Sequence, residues 1–502
     1  MTVIDGGKMS IELSKSRYCK GIQCPKILWM DQHMPEKGEN VLSESIMETG
    51  NKVGDLARSY FGEYSLIEFD YDKDAMVNKT KSLMDKGREI IAEAAFYVEG
   101  LYCAVDILRK VDKDTYDIIE VKSSTHVTDV YVEDMAFQYY VLTKAGVRVR
   151  KVFNMHLDNT YVRHGELELH KLFSLEDYTD KVIARSADVE KNVESIRKYV
   201  DTYKEPARDI DLYCERPYAC AYYRYCSRHI PEQSVFDVRR LHASKKYEFY
   251  HEGIVSFKDI IEKNPPLSEK QKQQVEAAYY DKPDVVKPEQ IKDFLNVLSY
   301  PLYHLDFETF QQAIPEYDGL SPYSQIPFQY SLHIESADGT LEHREFLAKE
   351  GTDPRRAIAE SLCRDFPENV CVLAYNMSFE RGVLQRLADT FPDLSAHLLA
   401  IRDNIHDLMI PFQKQYYYSK AMQGSYSIKY VLPAMCRGDP ELDYHALEGV
   451  HNGSEASATF ADMPNHSAEE IQTMRNNLLK YCCLDTLAMV KVLEKLREAV
   501  KR

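Results

Sequence analysis

Three segments in the C-terminal part of the sequence carry acidic residues at the spacing that metal-dependent chemistry needs. HLDFETF places Asp306 and Glu308 two residues apart, AYNMSFERG contains Glu380, and KYCCLDT places Tyr481 four residues before Asp485. Side chains two apart on a strand point the same way, and side chains four apart on a helix share a face. Four carboxylates from three separated segments are the set that a two-metal phosphodiester site requires. A solvated helix face is the alternative explanation for the segments.

A second acidic pair lies in two apolar segments of the N-terminal half. Asp106 is within AVDILRK, and IIEVKSS carries Glu120 and Lys122 two residues apart. On adjacent strands, the two carboxylates and the ammonium can converge on one face. Carboxylates bind Mg²⁺ or Mn²⁺, which would activate a water and stabilise charge on a phosphate. Lys122 would orient that water or neutralise the transition state. The alternative is an exposed strand with an ordinary glutamate–lysine ion pair.

Three of the 11 cysteines, Cys214, Cys220 and Cys226, are grouped in LYCERPYACAYYRYCSRH. A four-thiolate site needs one more ligand, and Cys24 in IQCPKILW is the best candidate, with Cys19 second. Thiolates bind zinc and iron–sulfur clusters. Buried free thiols in an aromatic cluster are the remaining explanation, since disulfides are not expected in a cytoplasmic protein.

We call Asp106, Glu120 and Lys122 the front residues, and the acidic residues of the C-terminal part the rear residues. The elements that must position the front residues follow an α/β pattern over residues 1–230. A hairpin over residues 93–110 turns at Glu99-Gly100, and a strand follows at 115–122. A helix that contains AFQYYVL comes next, then another strand, and a long polar helix is expected over about 178–203. Strand, helix and strand in this order indicate an α/β core.

The rest of the chain divides into a connector and a second α/β pattern. Residues 231–297 are polar, with proline-bearing breaks, and predict a helical connector. Residues 298–502 alternate strands and helices around the rear acidic segments. Within them, 439–466 is expected to be a loop, and a long helix is expected from about Ala468 to Lys501.

Composition limits the classes of protein that this chain can be. Its 502 residues are 44% hydrophobic and 28% charged, which is typical of soluble globular domains. No apolar run approaches the roughly 20 residues of a membrane helix, and the N-terminus lacks a signal peptide's apolar core, so we expect a cytoplasmic protein with no membrane association. The net charge of −17 argues against a protein that coats nucleic acid nonspecifically.

The front residues resemble the RecB-type PD-(D/E)XK nucleases. The resemblance implies that Asp106 and Glu120 bind the metal and that Lys122 is the catalytic lysine. Gln138, in AFQYYVL, matches the glutamine of that family's following helix.

The cysteine pattern resembles the four-cysteine [4Fe–4S] nucleases of the same group, which include CRISPR-associated exonucleases and AddB-type subunits. In those proteins one cysteine precedes the nuclease core and three follow it. The resemblance implies a [4Fe–4S] cluster held by Cys24, Cys214, Cys220 and Cys226, with zinc as the second choice.

The rear segments resemble the DnaQ-like (RNase H fold) 3′–5′ exonucleases of the tyrosine-bearing DEDD subgroup. The resemblance implies that Asp306, Glu308 and Asp485 bind metal and that Tyr481 positions the attacking water. Glu380 stands where that family usually has aspartate.

The whole layout resembles a bacterial family that fuses a RecB-like nuclease to a DnaQ-like domain. The expected fold class is α/β multidomain, with a PD-(D/E)XK core, a helical connector and an RNase H-like mixed sheet. We expect a metal-dependent nuclease that hydrolyses DNA, at ends or single strands, with two separate active sites; protein partners are not indicated. The alternatives are a nucleic-acid-binding or scaffold protein with one or both sites inactive, and a rear domain that acts on RNA.

Overall fold

The computed structural model describes residues 2–5, 8–40, 44–439, 442 and 444–501. The chain divides into two compact units, each mixed α/β as the sequence predicts. The first unit comprises Met1–His229 and Ala313–Tyr323, and the second comprises Ile230–Gln312 and Ser324–Arg502.

The first unit is built around a mixed sheet of seven strands, with a separate two-stranded sheet of β1 (Thr2–Asp5) and β2 (Lys8–Ile11). The seven strands are β3 (Leu13–Ser14), β4 (Ser65–Leu66), β5 (Ile90–Val98), β6 (Leu101–Asp112), β7 (Thr115–Lys122), β8 (Arg148–Leu157) and β9 (Phe173–Asp177). Strands β4 to β9 lie side by side in chain order, and β3 also pairs with β6. The predicted hairpin is confirmed: Glu99 and Gly100 have φ of 50° and 78°, the left-handed backbone that a tight hairpin turn requires.

Helices cover the sheet of the first unit. They are α1 (Lys15–Gln23), α2 (Pro25–His33), α3 (Glu44–Arg58), α4 (Lys73–Asp85), α5 (Asp129–Lys144), α6 (Leu169–Leu172), α7 (Thr179–Ser186), α8 (Val189–Val200) and α9 (Tyr223–Cys226). The prediction of one helix over 178–203 is wrong. A turn closed by the Asp188 N–H and the Arg185 carbonyl, at 3.1 Å, separates α7 from α8.

The second unit is built around a five-stranded mixed sheet. The strands of this unit are β10 (Val285–Val286), β11 (Leu302–Gln311), β12 (Gln325–Glu335), β13 (Leu341–Leu347), β14 (Cys371–Ala374), β15 (Ile405–Asp407) and β16 (Tyr417–Tyr418). The main sheet has the order β13-β12-β11-β14-β15, with β11 at its centre. The pairs β13–β12 and β12–β11 are antiparallel, whereas the pairs β11–β14 and β14–β15 are parallel.

The helices of the second unit begin in the segment predicted to be a connector. They are α10 (Ala243–His251), α11 (Phe257–Lys263), α12 (Glu269–Tyr279), α13 (Pro288–Asn296), α14 (Arg355–Asp365), α15 (Ser378–Thr390), α16 (Ser395–Asp403), α17 (Ile410–Gln413), α18 (Ile428–Met435), α19 (Gly453–Asp462) and α20 (Ala468–Ala499). The expectation of a loop over 439–466 is wrong for α19, which begins where the Asn452 side chain accepts from the Glu455 N–H at 3.0 Å. The predicted long helix is α20, whose start is a capping box of Ser467 and Glu470.

Two features of the domain organisation differ from the sequence-based expectation. Residues 231–297 belong to the second unit, so they are not a separate connector. Ala313–Tyr323, between β11 and β12, belongs to the first unit. There, the Arg163 N–H donates to the Leu320 carbonyl at 2.9 Å, and the Tyr323 hydroxyl donates to a backbone carbonyl at 2.7 Å. Among the described helices, none combines the length and apolar character that crossing a membrane requires.

Candidate functional site

Three of the predicted rear carboxylates meet between the central strand and the last helix of the second unit. Asp306 and Glu308 lie on β11, and Asp485 lies on α20. One carboxylate oxygen of each lies within 4.8 Å of those of the other two. A β-bulge between Glu308 and Thr309 distorts the strand, as bulges often do beside active sites.

Burial and mutual repulsion dominate the electrostatics of this carboxylate group. Burial raises the pKa of Asp306 well above its usual range, and the charges of Asp485 and Glu308 add to the effect. Burial, followed by the charge of Asp485, raises the pKa of Glu308 to about 8. Burial also raises the pKa of Asp485, to about 6. A divalent cation would relieve this repulsion, and the all-oxygen donor set fits Mg²⁺ or Mn²⁺.

Two tyrosines flank Asp485. The Tyr444 hydroxyl donates to Asp485 Oδ1 at 2.6 Å. Tyr481, one helical turn before Asp485, also hydrogen bonds with this carboxylate and is buried. Burial, followed by the charge of Asp485, raises the pKa of Tyr481 above its usual range, so its hydroxyl stays protonated. The sequence indicated Tyr481, but Tyr444 was missed because it lies in a separate segment 41 residues from Asp485.

Glu380, the fourth predicted carboxylate, lies outside the three-residue group. It is in the first turn of α15 and only 2% exposed, and its Oε2 has no hydrogen-bond partner in the described part of the chain. Burial raises its pKa to about 8, and the charge of Asp407 adds to the effect. Glu380 also contributes to the raised pKa of Asp306, after burial and the nearer carboxylates. It is therefore a buried acid beside the group.

A cleft of about 670 Å³ in the second unit has Asp306 and Asp485 in its lining. Arg239 and Arg240, from the segment predicted to be a connector, line it as well. The Arg240 guanidinium lies over the Tyr426 ring, 4.1 Å from its centroid. The cleft therefore combines candidate acidic metal ligands with cationic and aromatic side chains, and the sequence pattern did not indicate the two arginines.

The turn at Gly424 shapes one wall of this cleft. Gly424 has φ of +74°, and a Cβ there would lie 2.4 Å from the side chain of Gln274. Gln274 Nε2 donates to the Gln423 carbonyl at 3.1 Å and to the Asp237 carbonyl at 2.9 Å. Glycine is required here by both the left-handed backbone and the close approach of Gln274.

The four predicted front residues meet on one face of the sheet of the first unit. Asp106 lies on β6, Glu120 and Lys122 lie on β7, and Gln138 lies on α5. The Val121 N–H donates to Asp106 Oδ2 at 2.7 Å, and Lys122 Nζ donates to Glu120 Oε1 at 2.6 Å. Gln138 Nε2 donates to Glu120 Oε2 at 2.6 Å.

Two further charged residues belong to the front site. Lys15 Nζ lies 3.0 Å from Glu120 Oε1 and 3.4 Å from Asp106 Oδ1. Lys122 Nζ also lies 2.8 Å from Asp134 Oδ2. Asp134 is one helical turn before the predicted glutamine of α5, a spacing that could have indicated it. Lys15 gave no signal, because it is 91 residues from Asp106.

The pKa values of the two front carboxylates, Asp106 and Glu120, shift in opposite directions. Burial, followed by the charge of Glu120, raises the pKa of Asp106 to about 7. Burial acts in the same direction on Glu120, but Lys122 and Lys15 lower its pKa below the usual range. The oxygens suit a hard divalent cation, and the ammonium of Lys15 competes for the same oxygens.

The four predicted cluster ligands line one cavity in the first unit. Cys24 lies between α1 and α2, and Cys214, Cys220 and Cys226 lie beyond α8. All four are free thiols. Burial raises the pKa of Cys214 to about 12 and that of Cys220 to about 11. Thiols are the ligands that [4Fe–4S] clusters and zinc take in proteins, and these four line the same cavity.

Cys19, the second candidate for the N-terminal ligand, lies elsewhere. Burial raises its pKa, followed by the charge of Asp134, which belongs to the front carboxylate site. The cavity of the other cysteines has Cys24 in its lining and does not have Cys19 among its lining residues. Cys24 is therefore the better candidate for the fourth ligand.

Comparison with known families gives a partial match. A family model described as Domain of unknown function (DUF2779) matches residues 303–427. This stretch contains Asp306, Glu308 and Glu380, and it ends before Tyr481 and Asp485. No curated protein matched the chain, and no solved structure matched it.

Proposed function

We propose that the protein is a metal-dependent nuclease with two active sites, one in each unit. The observation that carries this proposal is the group of Asp306, Glu308 and Asp485, with oxygens within 4.8 Å of one another. Three carboxylates at this distance repel one another, and a function that uses their negative potential accounts for their close arrangement. Phosphodiester hydrolysis with divalent metal is such a function.

The proposed folds are an RNase H-like sheet in the second unit and a PD-(D/E)XK core in the first. Three antiparallel strands followed by two parallel ones, with site residues on the central strand and the last helix, support the former. An aspartate on β6, Glu-x-Lys on β7 and a glutamine on the next helix support the latter.

In the rear site, the protein's own groups would hold and orient the reactants. The carboxylate group would bind Mg²⁺ or Mn²⁺, which would supply an activated water and stabilise charge on the phosphate. Tyr444 fixes the rotamer of Asp485 through its 2.6 Å hydrogen bond. Tyr481 stays protonated, so its hydroxyl can donate to or orient a water. Arg239 and Arg240 would contact the phosphate backbone from the cleft.

In the front site, Asp106 and Glu120 would hold the metal. Lys122, 2.6 Å from Glu120 Oε1, would orient the attacking water. The four-cysteine cavity would hold a [4Fe–4S] cluster that joins the chain before and after the front core. We propose DNA ends or single strands as the substrate.

A second candidate function concerns the first unit alone. Lys15 forms ion pairs with both Asp106 and Glu120, at 3.4 and 3.0 Å. These contacts neutralise the oxygens that would hold a metal. They favour a front unit that binds nucleic acid and stays inactive unless Lys15 moves.

Cleavage assays on separate variants test these proposals. The full chain, purified without oxygen, is incubated with labelled single-stranded DNA, double-stranded DNA or RNA in Mg²⁺ or Mn²⁺. We expect DNA cleavage, with part of it lost in Asp306→Asn, part in Asp106→Asn, and all in the double variant. Asp389→Asn, at an exposed position on α15, is the matched control. Cleavage that survives in the double variant would exclude both sites, and loss only in Asp306→Asn would support an inactive front unit.

A further inference from the structure

A row of histidines crosses the sheet of the second unit. His304 on β11 is the register partner of His333 on β12, and His333 is the partner of His343 on β13. His304 is fully buried and His333 is 5% exposed. Buried imidazoles are costly compared with apolar side chains unless their nitrogens have partners. Their position in three neighbouring strands indicates a function for this row.

Cys483 on α20 completes a compact group with two of these histidines. Its sulfur and one ring nitrogen each from His333 and His343 lie within 4.8 Å of one another. We propose that Cys483, His333 and His343 form a zinc site, separate from the carboxylate group. A thiolate and two imidazoles are preferred ligands of Zn²⁺, whereas Mg²⁺ and Mn²⁺ prefer oxygen.

Hydrogen bonds orient both rings for such a site. His333 Nδ1 lies 2.7 Å from Thr486 Oγ1, and His343 Nε2 lies 2.9 Å from Ser331 Oγ. The two hydroxyls are 2.7 Å apart, and Thr486 Oγ1 donates to the Cys483 carbonyl at 3.2 Å. Both rings can therefore donate an N–H to a hydroxyl oxygen through these nitrogens. The lone pairs on Nε2 of His333 and Nδ1 of His343 are then available to bind a metal. Outer hydrogen bonds of this kind fix the tautomer of zinc-binding histidines.

The remaining position of a tetrahedral site has a nearby candidate. Glu345, two residues after His343 on β13, has its Oε2 4.0 Å from His343 Nε2, the ring nitrogen that faces Ser331, so its side chain would have to turn to reach the metal. Zinc would take either this carboxylate or a water as its fourth ligand.

The zinc site would hold α20, the helix that contributes Asp485, in place. Cys483 lies between Tyr481 and Asp485 on α20, while the two histidines lie on β12 and β13. Zinc would therefore fix this turn of α20 against the sheet. The inference concerns metal content and structure, and it holds whether or not the protein cleaves nucleic acid.

Thiol protection in the unmodified sequence tests the proposal directly. The metal-free full chain is treated with a thiol-alkylating reagent, with and without Zn²⁺ alone, and alkylation of each cysteine is followed by peptide mass spectrometry. Zinc should slow alkylation of Cys483 at least about tenfold. Cys436, a partly exposed cysteine of the same unit, is the matched control and should react at the same rate in both samples. An unchanged rate at Cys483 would overturn the proposal.

Metal analysis of variants separates this site from the other two. His343→Ala and Cys483→Ser should each lose one zinc per chain, while Asp306→Asn and Cys220→Ser should retain it. His406→Ala, at a partly exposed position on β15, controls for loss of a histidine. Zinc that persists in the first two variants but is lost in Asp306→Asn or Cys220→Ser would belong to the carboxylate or four-cysteine site and would overturn the assignment.

Discussion

Replacing one carboxylate of the rear group by an amide should stabilise the metal-free protein. Two unit charges 4.8 Å apart repel by about 3.5 kcal/mol at an effective dielectric constant of about 20. Asp306 faces both Glu308 and Asp485, but it is partly exposed, and solvent screening reduces the repulsion. We expect Asp306→Asn to raise the free energy of unfolding by about 1–3 kcal/mol at a pH high enough to ionise all three carboxylates.

The pH dependence has a definite sign. Because the pKa of Glu308 rises from 4.5 to about 8 on folding, the folded state holds more protons than the unfolded state between these values. The stability of the metal-free protein should therefore fall as the pH rises from about 5 to about 8. Mn²⁺ binds the ionised form, so its stabilising effect should grow over the same range. Asp306→Asn should flatten both trends.

Thermal unfolding in chelated buffer, with and without Mn²⁺, measures these effects. For a domain about the size of the second unit, a change of 1 kcal/mol in the free energy of unfolding corresponds to about 2–4 °C in Tm. Asp389→Asn makes the same chemical change at an exposed position and should leave Tm unchanged. If Asp306→Asn lowers Tm at high pH, or if Mn²⁺ stabilises it as much as the unmodified protein, then Asp306 does not belong to a repulsive metal-binding group.

Three other variants probe the remaining groups. Lys15→Met, in an Asp306→Asn background, should bind Mn²⁺ several-fold more tightly by electron paramagnetic resonance, because the ammonium no longer competes for Glu120. Tyr481→Phe, in an Asp106→Asn background that removes cleavage by the first unit, should lower kcat by about 100-fold, because one oriented hydroxyl is lost. Cys220→Ser should abolish iron binding after anaerobic purification, as shown by absorbance and iron analysis.

Each of these variants has a matched control and a contrary result. Lys20→Met removes an exposed lysine of α1, and equal Mn²⁺ affinity in it and in Lys15→Met would dismiss competition. Tyr416→Phe controls for loss of a partly exposed tyrosine; an unaltered kcat in Tyr481→Phe would remove that residue from the mechanism. Cys436→Ser should retain iron, and a Cys220→Ser protein with full iron content would reject the four-cysteine assignment.

Spacing along one element predicted which side chains lie close together where that element carries several of them. Asp306 with Glu308, and Glu120 with Lys122, share faces of single strands, because side-chain direction repeats every two residues. The sequence ranked Cys24 above Cys19, and the structure supports that order, because Cys24 lines the cavity of the other three cysteines and Cys19 is not among its lining residues.

No spacing pattern in the sequence indicates residues that join a site from a distant segment. Lys15 is 105 residues from Glu120, and Tyr444 is 41 residues from Asp485. The pairing of His333 with His343 depends on the register of β12 and β13, which alternation alone leaves open. Such contacts are set by tertiary packing.

The segment Ala313–Tyr323 has a consequence for how this gene can be divided. The chain passes between the two units three times, at residues 229–230, 312–313 and 323–324. A truncation after His229 would strip the N-terminal fragment of Ala313, which packs in its hydrophobic core, and would leave the C-terminal fragment with an apolar loop that has lost its partner. A design that separates the two units therefore has to graft this loop onto the N-terminal part.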